Sequence, residues 1–319
     1  MTPGWISAIV PTVGRPESLG LLLKSLAAQT RRPDEVFVAD GSDGEDVRRV
    51  AERSGWASSG LNVRHILVHP PNAVRQRVAA IAESRGEYLL LLDDDVVLES
   101  DCVERMAEAL MRDTGVVGAF ADFSNQSWPM PTAAWRLYLR YVLGMEEGSW
   151  QGRVVGPLLR FGYDPVPAAQ MPIAWLGAGN SMVRRAAYDR SGGFSSFFLH
   201  RCTINEDVDL GLRLARLGTI SFCPSARMGH FQAPGGRASV AMAAEDDLYN
   251  RYLVMRRTQG RSLVAAFGMV FVYFAIETAS NLAGALLRLH GNGFGARLSG
   301  RLWAFGRILA SPFTRATPQ

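Results

Sequence analysis

The chain has 319 residues, and its composition (48% hydrophobic, 20% charged) is that of one large or two small globular domains. The net charge of +4 is too small to indicate a nucleic-acid partner. The three cysteines, Cys102, Cys202 and Cys223, form no Cys-x-x-Cys pair, which excludes a disulfide framework or a zinc site of that spacing. Residues 1–10 lack a basic region and run directly into Pro11, so we expect no signal peptide.

Strands and helices alternate through the first 120 residues. The expected strands are residues 5–10, 35–39, 62–67, 88–92 and 116–120, and the expected helices begin near Pro16, Asp46, Ala73 and Asp101. Short turns join these elements. Such alternation predicts a parallel α/β sheet of the nucleotide-binding type.

The strand at 88–92 ends on three consecutive acids, Asp93, Asp94 and Asp95. Ligands of open α/β sheets bind outside the carboxyl ends of the strands, where Asp40 also follows its own strand. Adjacent carboxylates repel one another unless a cation neutralises them. Mg²⁺ and Mn²⁺ prefer carboxylate oxygens and recruit substrate phosphates. We therefore expect a divalent metal that holds a diphosphate; acids placed at a helix N-terminus are the alternative.

The middle of the chain, residues 124–164, has little periodicity and is rich in aromatic residues. Residues 133–143 predict a short amphipathic helix that carries Arg136 and Arg140. Two interpretations remain open: a segment that covers the substrate, or a surface that contacts lipid, since aromatics beside arginines suit a membrane interface.

Residues 173–180 are strand-like and contain a Gly-x-Gly, but Met182 occupies the place of the third glycine, so we exclude a dinucleotide site. Asn205 is a suitable N-cap for a helix whose first turn contains Glu206 and Asp207. Helix-start chemistry is an alternative explanation of these acids. A strand at 218–222 precedes His230, and a lone histidine is more often structural than functional.

The tail is helical in pattern from Asp246. Residues 262–276 are almost wholly apolar until Glu277, which leaves about fifteen residues where a membrane span needs ~20. Arginines lie on both sides of this stretch. They favour a helix in or on an anionic leaflet over a crossing, and a hydrophobic helix packed on protein is the alternative.

Four sequence motifs follow one another along residues 6–230, about two thirds of the chain. They are Val10-Pro11-Thr12 with Arg15-Pro16; residues 38–42; Arg77 ahead of residues 85–88 and 92–95; and residues 192–194, 205–210 and 229–230. Together they resemble the family 2 glycosyltransferases. Two positions depart from that pattern: Ala39 replaces an acid, and Val78 replaces the asparagine that usually follows the arginine.

The resemblance implies an α/β GT-A fold, a mostly parallel sheet flanked by helices. A catalytic domain at 1–240 would contain a nucleotide-sugar half (1–122) and an acceptor half (123–240). A helical tail at 241–319 would follow, with a candidate membrane-interacting segment at 262–289.

The resemblance also implies roles for individual residues. Asp207 would be the catalytic base, supported by Glu206, and Asp95 and His230 would bind Mn²⁺ or Mg²⁺. The nucleotide sugar would contact Pro11, Thr12, Arg15, Asp40, Arg77, Asp93 and Asp94. The sugar or the acceptor would face Trp175, Gly179 and Asn180.

The implied activity is metal-dependent, inverting hexosyl or deoxyhexosyl transfer. The donor would be a nucleoside-diphosphate sugar, and the acceptor a hydroxyl of a glycan or lipid-linked molecule in polysaccharide or cell-envelope synthesis. The enzyme would work in the cytoplasm at the inner face of the cell membrane. Such a transfer needs a cation for the leaving diphosphate and a carboxylate base for the acceptor, and the chain offers one acidic cluster for each. Two alternatives are a haloacid-dehalogenase-like phosphatase with Asp93 as nucleophile and an inactive GT-A-like membrane assembly partner.

Overall fold

The computed structural model describes residues 4–199, 203–233, 238–287 and 293–310. The chain divides into two compact units. The first, here called the sheet unit, comprises residues 1–129 and 162–237, and the second, the helical unit, comprises residues 130–161 and 238–319. Residues 130–161, which the sequence places in the acceptor half, thus group with the C-terminal helices. The predicted division at residue 240 stays a prediction. Cys202 and residues 288–289 lie outside the described residues.

The strands follow the predicted order and add several short ones. They are β1 (Ile6–Thr12), β2 (Glu35–Asp40), β3 (Val63–Leu67), β4 (Tyr88–Leu92), β5 (Val96–Leu98), β6 (Val116–Phe123), β7 (Val154–Val155), β8 (Leu159–Arg160), β9 (Met171–Ile173), β10 (Asn180–Arg184) and β11 (Thr219–His230). The helices are α1 (Pro16–Ala27), α2 (Asp46–Ala51), α3 (Gly55–Ser58), α4 (Ala73–Glu83), α5 (Cys102–Arg112), α6 (Ala133–Leu137), α7 (Arg185–Arg190), α8 (Glu206–Leu214), α9 (Val240–Arg257), α10 (Leu263–Leu286) and α11 (Phe294–Ala310). A π-helical turn at Tyr138–Val142 continues α6.

The sheet of the sheet unit runs in the order β3-β2-β1-β4-β10-β6-β11-β5, with β9 beside β11. The strands β3, β2, β1 and β4 are parallel, as predicted for the nucleotide half. Strand β10 then runs antiparallel between β4 and β6, and β11 is antiparallel to β5 and β9. The carboxyl ends of β1, β2 and β4 therefore meet at one edge. The pairing of β11 with β5 sets His230 opposite Val96, directly after the acid triplet.

Strand β4 is buried along its whole length because both of its neighbours are core strands. Helix α1 adds Leu19, Leu22, Leu23 and Leu26, a spacing that places all four on one face, and all four are fully buried. This packing fixes the end of β4, and hence the start of the acid triplet, against a rigid core.

Two local predictions are corrected. Residues 174–179 are not a strand: they connect β9 to β10, and the strand begins only at Asn180. Asn205 precedes α8 with a left-handed backbone (φ 72°), and its side chain does not cap the helix. That conformation turns the chain sharply into α8, and asparagine tolerates it better than most residues.

The helical unit contains α6, α9, α10 and α11. Phe305 of α11 contacts Phe267 and Phe274 of α10, with ring centroids 5.7 and 5.2 Å apart. Among the described residues, α10 is the one helix whose length and apolar composition would suffice to cross a membrane, and only 17% of its most apolar stretch is buried.

Candidate active site

The three acids after β4 point into three different environments. Asp93 is the most exposed, and its side chain meets the Nη2 atom of Arg77 at 2.6 Å. Asp94 is buried and turns toward the end of β1, whereas Asp95 turns toward β11. The sequence shows one negative cluster, and the structure divides it among three sets of partners.

Asp94 ties the end of β4 to the end of β1. Its Oδ2 atom accepts a hydrogen bond from the Thr12 hydroxyl at 2.6 Å, and its Oδ1 atom accepts one from Arg15 at 3.0 Å. Burial raises the pKa of Asp94, and the Thr12 and Arg15 hydrogen bonds offset only part of that rise. Three of the seven predicted donor-binding residues are thus brought together, with Thr12 and Arg15 both bonded to Asp94.

Asp95 is held by groups that favour its ionised form. Its Oδ1 atom lies 3.1 Å from Nε2 of His230, and its Oδ2 atom accepts from the backbone N–H of Ala233 at 2.9 Å. Arg15 lies 3.6 Å away. Burial acts to raise the pKa of Asp95, but His230, the Ala233 amide and Arg15 outweigh it and hold that pKa below its ordinary value.

His230 is itself fixed by its neighbours. Its backbone N–H donates to Asn125 Oδ1 at 2.9 Å, and its ring stacks on Phe123 with centroids 5.0 Å apart. Stacking and hydrogen bonding keep the imidazole aimed at Asp95. His230 therefore lies beside Asp95, and its role as a metal ligand stays a prediction.

One ligand atom from each of Asp93, Asp95 and His230 lies within 4.8 Å of the other two. Two carboxylates and an imidazole suit Mn²⁺, which accepts oxygen and nitrogen ligands. The sequence assigns Asp93 to the nucleoside and only Asp95 and His230 to the metal, whereas the structure brings all three together. A divalent cation fits this donor set, because Asp95 is poised to be ionised.

Arg77 joins this cluster to the start of α8. Its side chain is buried, and it places Nη2 2.6 Å from Asp93 and Nη1 3.4 Å from Glu206. Burial and the adjacent Asp207 carboxylate raise the pKa of Glu206 to about 8, against the opposing charge of Arg77. The raised pKa favours the protonated form of Glu206, which leaves Asp207 as the candidate acceptor of a further proton.

The first turn of α8 is held in place by hydrogen bonds to a buried carboxylate. Asp209 is fully buried, and its Oδ2 atom accepts hydrogen bonds from the Ser195 hydroxyl and from Arg213 Nη2, each at 2.6 Å. Arg213 also donates to the carbonyls of Ser191 and Gly193. The helix start that carries Glu206 and Asp207 is thereby fixed to the turn after α7. The sequence shows Asp209 only as one more acid of the first turn.

Asp40 lies at the end of β2, as predicted, and is almost fully buried. Its Oδ1 atom accepts from the Ser42 backbone N–H at 2.8 Å, and its Oδ2 atom lies 3.0 Å from Nε2 of His65. Sequence reasoning missed His65, because its approach to Asp40 depends on the register of β3 against β2, which pairs His65 with Val38. It also missed Gln76, whose Nε2 atom bonds the carbonyls of Thr12 and Ala39 and so joins β1 to β2.

Of the residues predicted to face the sugar or acceptor, Gly179 lies at the acid cluster. Trp175 is buried and packs edge-on against Phe120 at 5.1 Å. Asn180 is buried too, and its Nδ2 atom donates to the Ala121 carbonyl at 2.7 Å. Both side chains contact other protein groups, and Pro11 lies within β1. The ligand roles of these residues stay predictions.

Gly179 leaves room for Asp93, and Gly179→Ala is expected to lower sugar-transfer activity by about 10²-fold. An added Cβ would meet the Asp93 carboxylate, with Oδ1 at 3.1 Å and Oδ2 closer still, so Asp93 must swing away from Arg77. Steady-state kinetics and thermal unfolding test this. The half-exposed Asp93 can move, so the unfolding temperature is expected to change little. Gly44→Ala, where an added Cβ meets nothing, is the matched control. Equal activity in both variants would contradict the role of Gly179.

The chain is similar to known proteins in family model, in sequence and in fold. Residues 7–161 match the family model described as Glycosyl transferase family 2. The chain is 29% identical over 251 residues to the O-antigen biosynthesis protein RfbC of Myxococcus xanthus, a match that covers 75% of this chain and 18% of that protein. It is 24% identical over 234 residues to N-acetylglucosaminyl-diphospho-decaprenol L-rhamnosyltransferase of Mycobacterium tuberculosis, covering 66% of this chain and 71% of that enzyme. The chain thus spans less than a fifth of the length of the first relative.

Two solved structures have the same fold. The S. aureus TarS 1-349 structure aligns with a TM-score of 0.54 and 16% identity over 96% of this chain and 82% of that chain. GalNAc-T7, solved with UDP, GalNAc and Mn²⁺, aligns with a TM-score of 0.57 and 12% identity over 80% of this chain and 48% of that chain. Identities this low show the fold alone, which is GT-A as the sequence predicts. Residues 7–161 are therefore similar to the family 2 glycosyltransferases, and the chain has the GT-A fold.

Proposed function

We propose that the chain is an inverting, Mn²⁺- or Mg²⁺-dependent glycosyltransferase. It moves a hexosyl or deoxyhexosyl group from a nucleoside-diphosphate sugar to a hydroxyl of a glycan or lipid-linked acceptor in cell-envelope synthesis. One observation carries this proposal: Arg77 bridges Asp93, in the candidate metal cluster, to Glu206, beside the candidate base. The buried guanidinium of Arg77 thus contacts both the group that would bind the leaving diphosphate and the carboxylate beside the candidate base.

The residues after β4 serve the leaving group. A bound divalent cation supplies positive charge where the diphosphate leaves. Asp93, Asp95 and His230 would hold that cation, and the interactions that lower the pKa of Asp95 keep it ready to bind without a protonation cost. Arg15 stays within 3.6 Å of both Asp94 and Asp95 and limits the repulsion between them before donor binds.

The start of α8 serves the acceptor. Asp207 takes the proton of the attacking hydroxyl, while Glu206, whose raised pKa favours its protonated form, lies beside Arg77. A single base that activates the acceptor on the face opposite the leaving diphosphate produces inversion at the anomeric carbon. No second carboxylate is needed as a covalent nucleophile in this scheme.

We place the reaction at the cytoplasmic face of the cell membrane. The name of the mycobacterial relative includes a decaprenol-linked acceptor, and that of the Myxococcus relative refers to O-antigen synthesis. The apolar helix α10 is consistent with work beside lipid. The phosphatase and inactive-partner alternatives have no support in the family match.

A nucleotide-sugar panel tests the proposal. The full-length protein is expected to release nucleoside diphosphate from one donor, faster with a polyprenyl-diphosphate-sugar acceptor, and only with Mn²⁺ or Mg²⁺ present. Chelation by EDTA should abolish the release and added Mn²⁺ should restore it, because the cation stabilises the leaving diphosphate. Hydrolysis of p-nitrophenyl phosphate with no use of any nucleotide sugar would instead support the phosphatase. Metal-independent transfer would overturn the role of Asp95.

A further inference from the structure

Three polar side chains of helix α10 lie on its inner side. Tyr273, Glu277 and Asn281 lie along the same side as the fully buried Ala266 and Val270, at spacings of three and four residues. In a water-soluble surface helix the polar residues occupy the opposite, outer side. Glu277, which interrupts the apolar run of the sequence, therefore directs its side chain into the protein.

The outer side of α10 is apolar and exposed. Val264, Phe271, Leu282 and Leu286 are 78%, 55%, 44% and 75% exposed, and Ala275 lies on the same stripe. We call these five residues the outer stripe. No charged side chain interrupts it over the length of the helix, about 36 Å at 1.5 Å per residue. A continuous exposed apolar surface of this kind marks an interaction site.

Polar bonds hold the inner side to the rest of the helical unit. Glu277 accepts a hydrogen bond from Trp135 Nε1 at 2.9 Å and lies 3.5 Å from Arg301. The Tyr273 hydroxyl donates to Asp247 at 2.8 Å, and the guanidinium of Arg251 lies 4.1 Å from the Tyr273 ring centroid. The middle of α10 is thus attached to α6, α9 and α11.

This attachment argues against a membrane crossing by α10. A crossing would put residues near 275 at the centre of the bilayer, together with the charged groups that bind them. The partners would be Asp247 and Arg251 of α9 and Arg301 of α11, and charges at that depth are costly. An orientation parallel to the surface leaves these groups on the protein side and the outer stripe on the lipid side.

Charge favours an anionic lipid surface as the occupant. The described residues of the helical unit carry eleven arginines and six acids, whereas those of the sheet unit carry nineteen basic residues and twenty-four acids. Arg136, Arg140, Arg257 and Arg297 are exposed in the helical unit. Exposed guanidinium groups on a unit with an excess of positive charge suit lipid phosphates. Trp303 of α11, 57% exposed, suits the level of the headgroups.

We propose that α10 lies in the plane of an anionic leaflet, with the outer stripe among the upper acyl chains and the exposed arginines at the phosphates. The helix docks and does not span. This inference rests on the proposed membrane-proximal function, but it is measured without nucleotide sugar. Loss of sugar transfer and loss of docking are therefore separate results.

Vesicle sedimentation of the full chain tests the docking. Wild type is expected to bind phosphatidylglycerol-containing vesicles more tightly than pure phosphatidylcholine vesicles, and less tightly at high salt. Phe271→Glu with Leu282→Glu is expected to weaken binding by about tenfold or more, because the stripe can no longer enter the lipid. Leu21→Glu, at a 53% exposed leucine of α1, is the matched control and should bind like wild type. Unchanged thermal unfolding and donor hydrolysis show that the double variant is folded.

Depth measurement separates docking from spanning. Nitroxide labels placed singly at positions 264, 271, 282 and 286 are expected to report one shallow depth in electron paramagnetic resonance, since the helix lies flat. A depth that changes steadily along the helix would overturn the proposal in favour of a span. Wild type that binds neither vesicle type, or equal loss in the Leu21 control, would overturn it as well. A wild-type dimer that the double variant dissociates, with no vesicle binding, would assign the stripe to a second copy.

Discussion

Asp95→Asn is expected to lower kcat/KM for sugar transfer by about 10²–10³-fold and to remove its dependence on Mn²⁺. The carboxylate is the part of the candidate metal cluster whose pKa the protein holds below the ordinary value, through His230, the Ala233 amide and Arg15, which together outweigh its burial. Asparagine keeps the size of the side chain and one acceptor oxygen, but it loses the charge. The loss should therefore fall on metal and diphosphate binding while the fold is retained.

Activity titrated against Mn²⁺, together with isothermal titration of Mn²⁺ in the presence of nucleoside diphosphate, measures this effect. Asp46→Asn, at a 73% exposed carboxylate of α2, is the control and should leave both curves unchanged. Thermal unfolding without metal should agree for the two variants within a few degrees. An Asp95→Asn enzyme with full activity and an unchanged Mn²⁺ midpoint would show that the metal is held elsewhere.

Much of the sheet unit could be predicted from local sequence. Strand β4 is an unbroken apolar run that ends on acids, and strand–helix alternation suffices to place β1 to β4 in parallel. The partners of the acids could not be predicted in this way. Asp95 meets His230 only because β11 continues past Phe222, through a bulge between Cys223 and Arg227, and pairs with β5. A pairing over 130 residues of chain leaves no local pattern.

Two other pairs of residues in the site could not be predicted from local sequence either. His65 reaches Asp40 across two neighbouring strands, and Arg77 reaches Glu206 from 129 residues away. Each pair depends on register and on helix packing, which residue spacing along the chain does not encode. The tail is a sharper case. In the sequence, Glu277 makes the apolar run of the tail look too short to span a membrane. Only the contacts with Trp135 and Arg301 show that its side chain faces the protein.

The second large prediction concerns the different roles of Asp207, the candidate base, and Glu206, its neighbour. Asp207→Asn is expected to lower kcat by about 10²–10⁴-fold, the range for a lost general base. Glu206→Gln is expected to retain most activity at neutral pH, because the pKa of Glu206 is raised to about 8 and glutamine resembles its protonated form. The two variants remove the same kind of group from adjacent positions, and each serves as the control for the other.

The pH dependence of activity distinguishes the role of Asp207 from that of Glu206. Wild type should show an inflection in kcat/KM, which reports the free enzyme, near pH 8 where Glu206 ionises, and Glu206→Gln should lack it. In Asp207→Asn the neighbouring negative charge is gone, so the pKa of Glu206 falls and the inflection of the residual activity moves to lower pH.

Folding stability provides a readout independent of catalysis. The folded state holds the Glu206 proton more tightly than the unfolded chain does, so this group costs stability as pH rises from about 4.5 to about 8. Relative to wild type, Glu206→Gln should therefore become more stable over that window. An inactive Glu206→Gln enzyme at neutral pH beside a nearly active Asp207→Asn enzyme would reverse the assignment and make Glu206 the base.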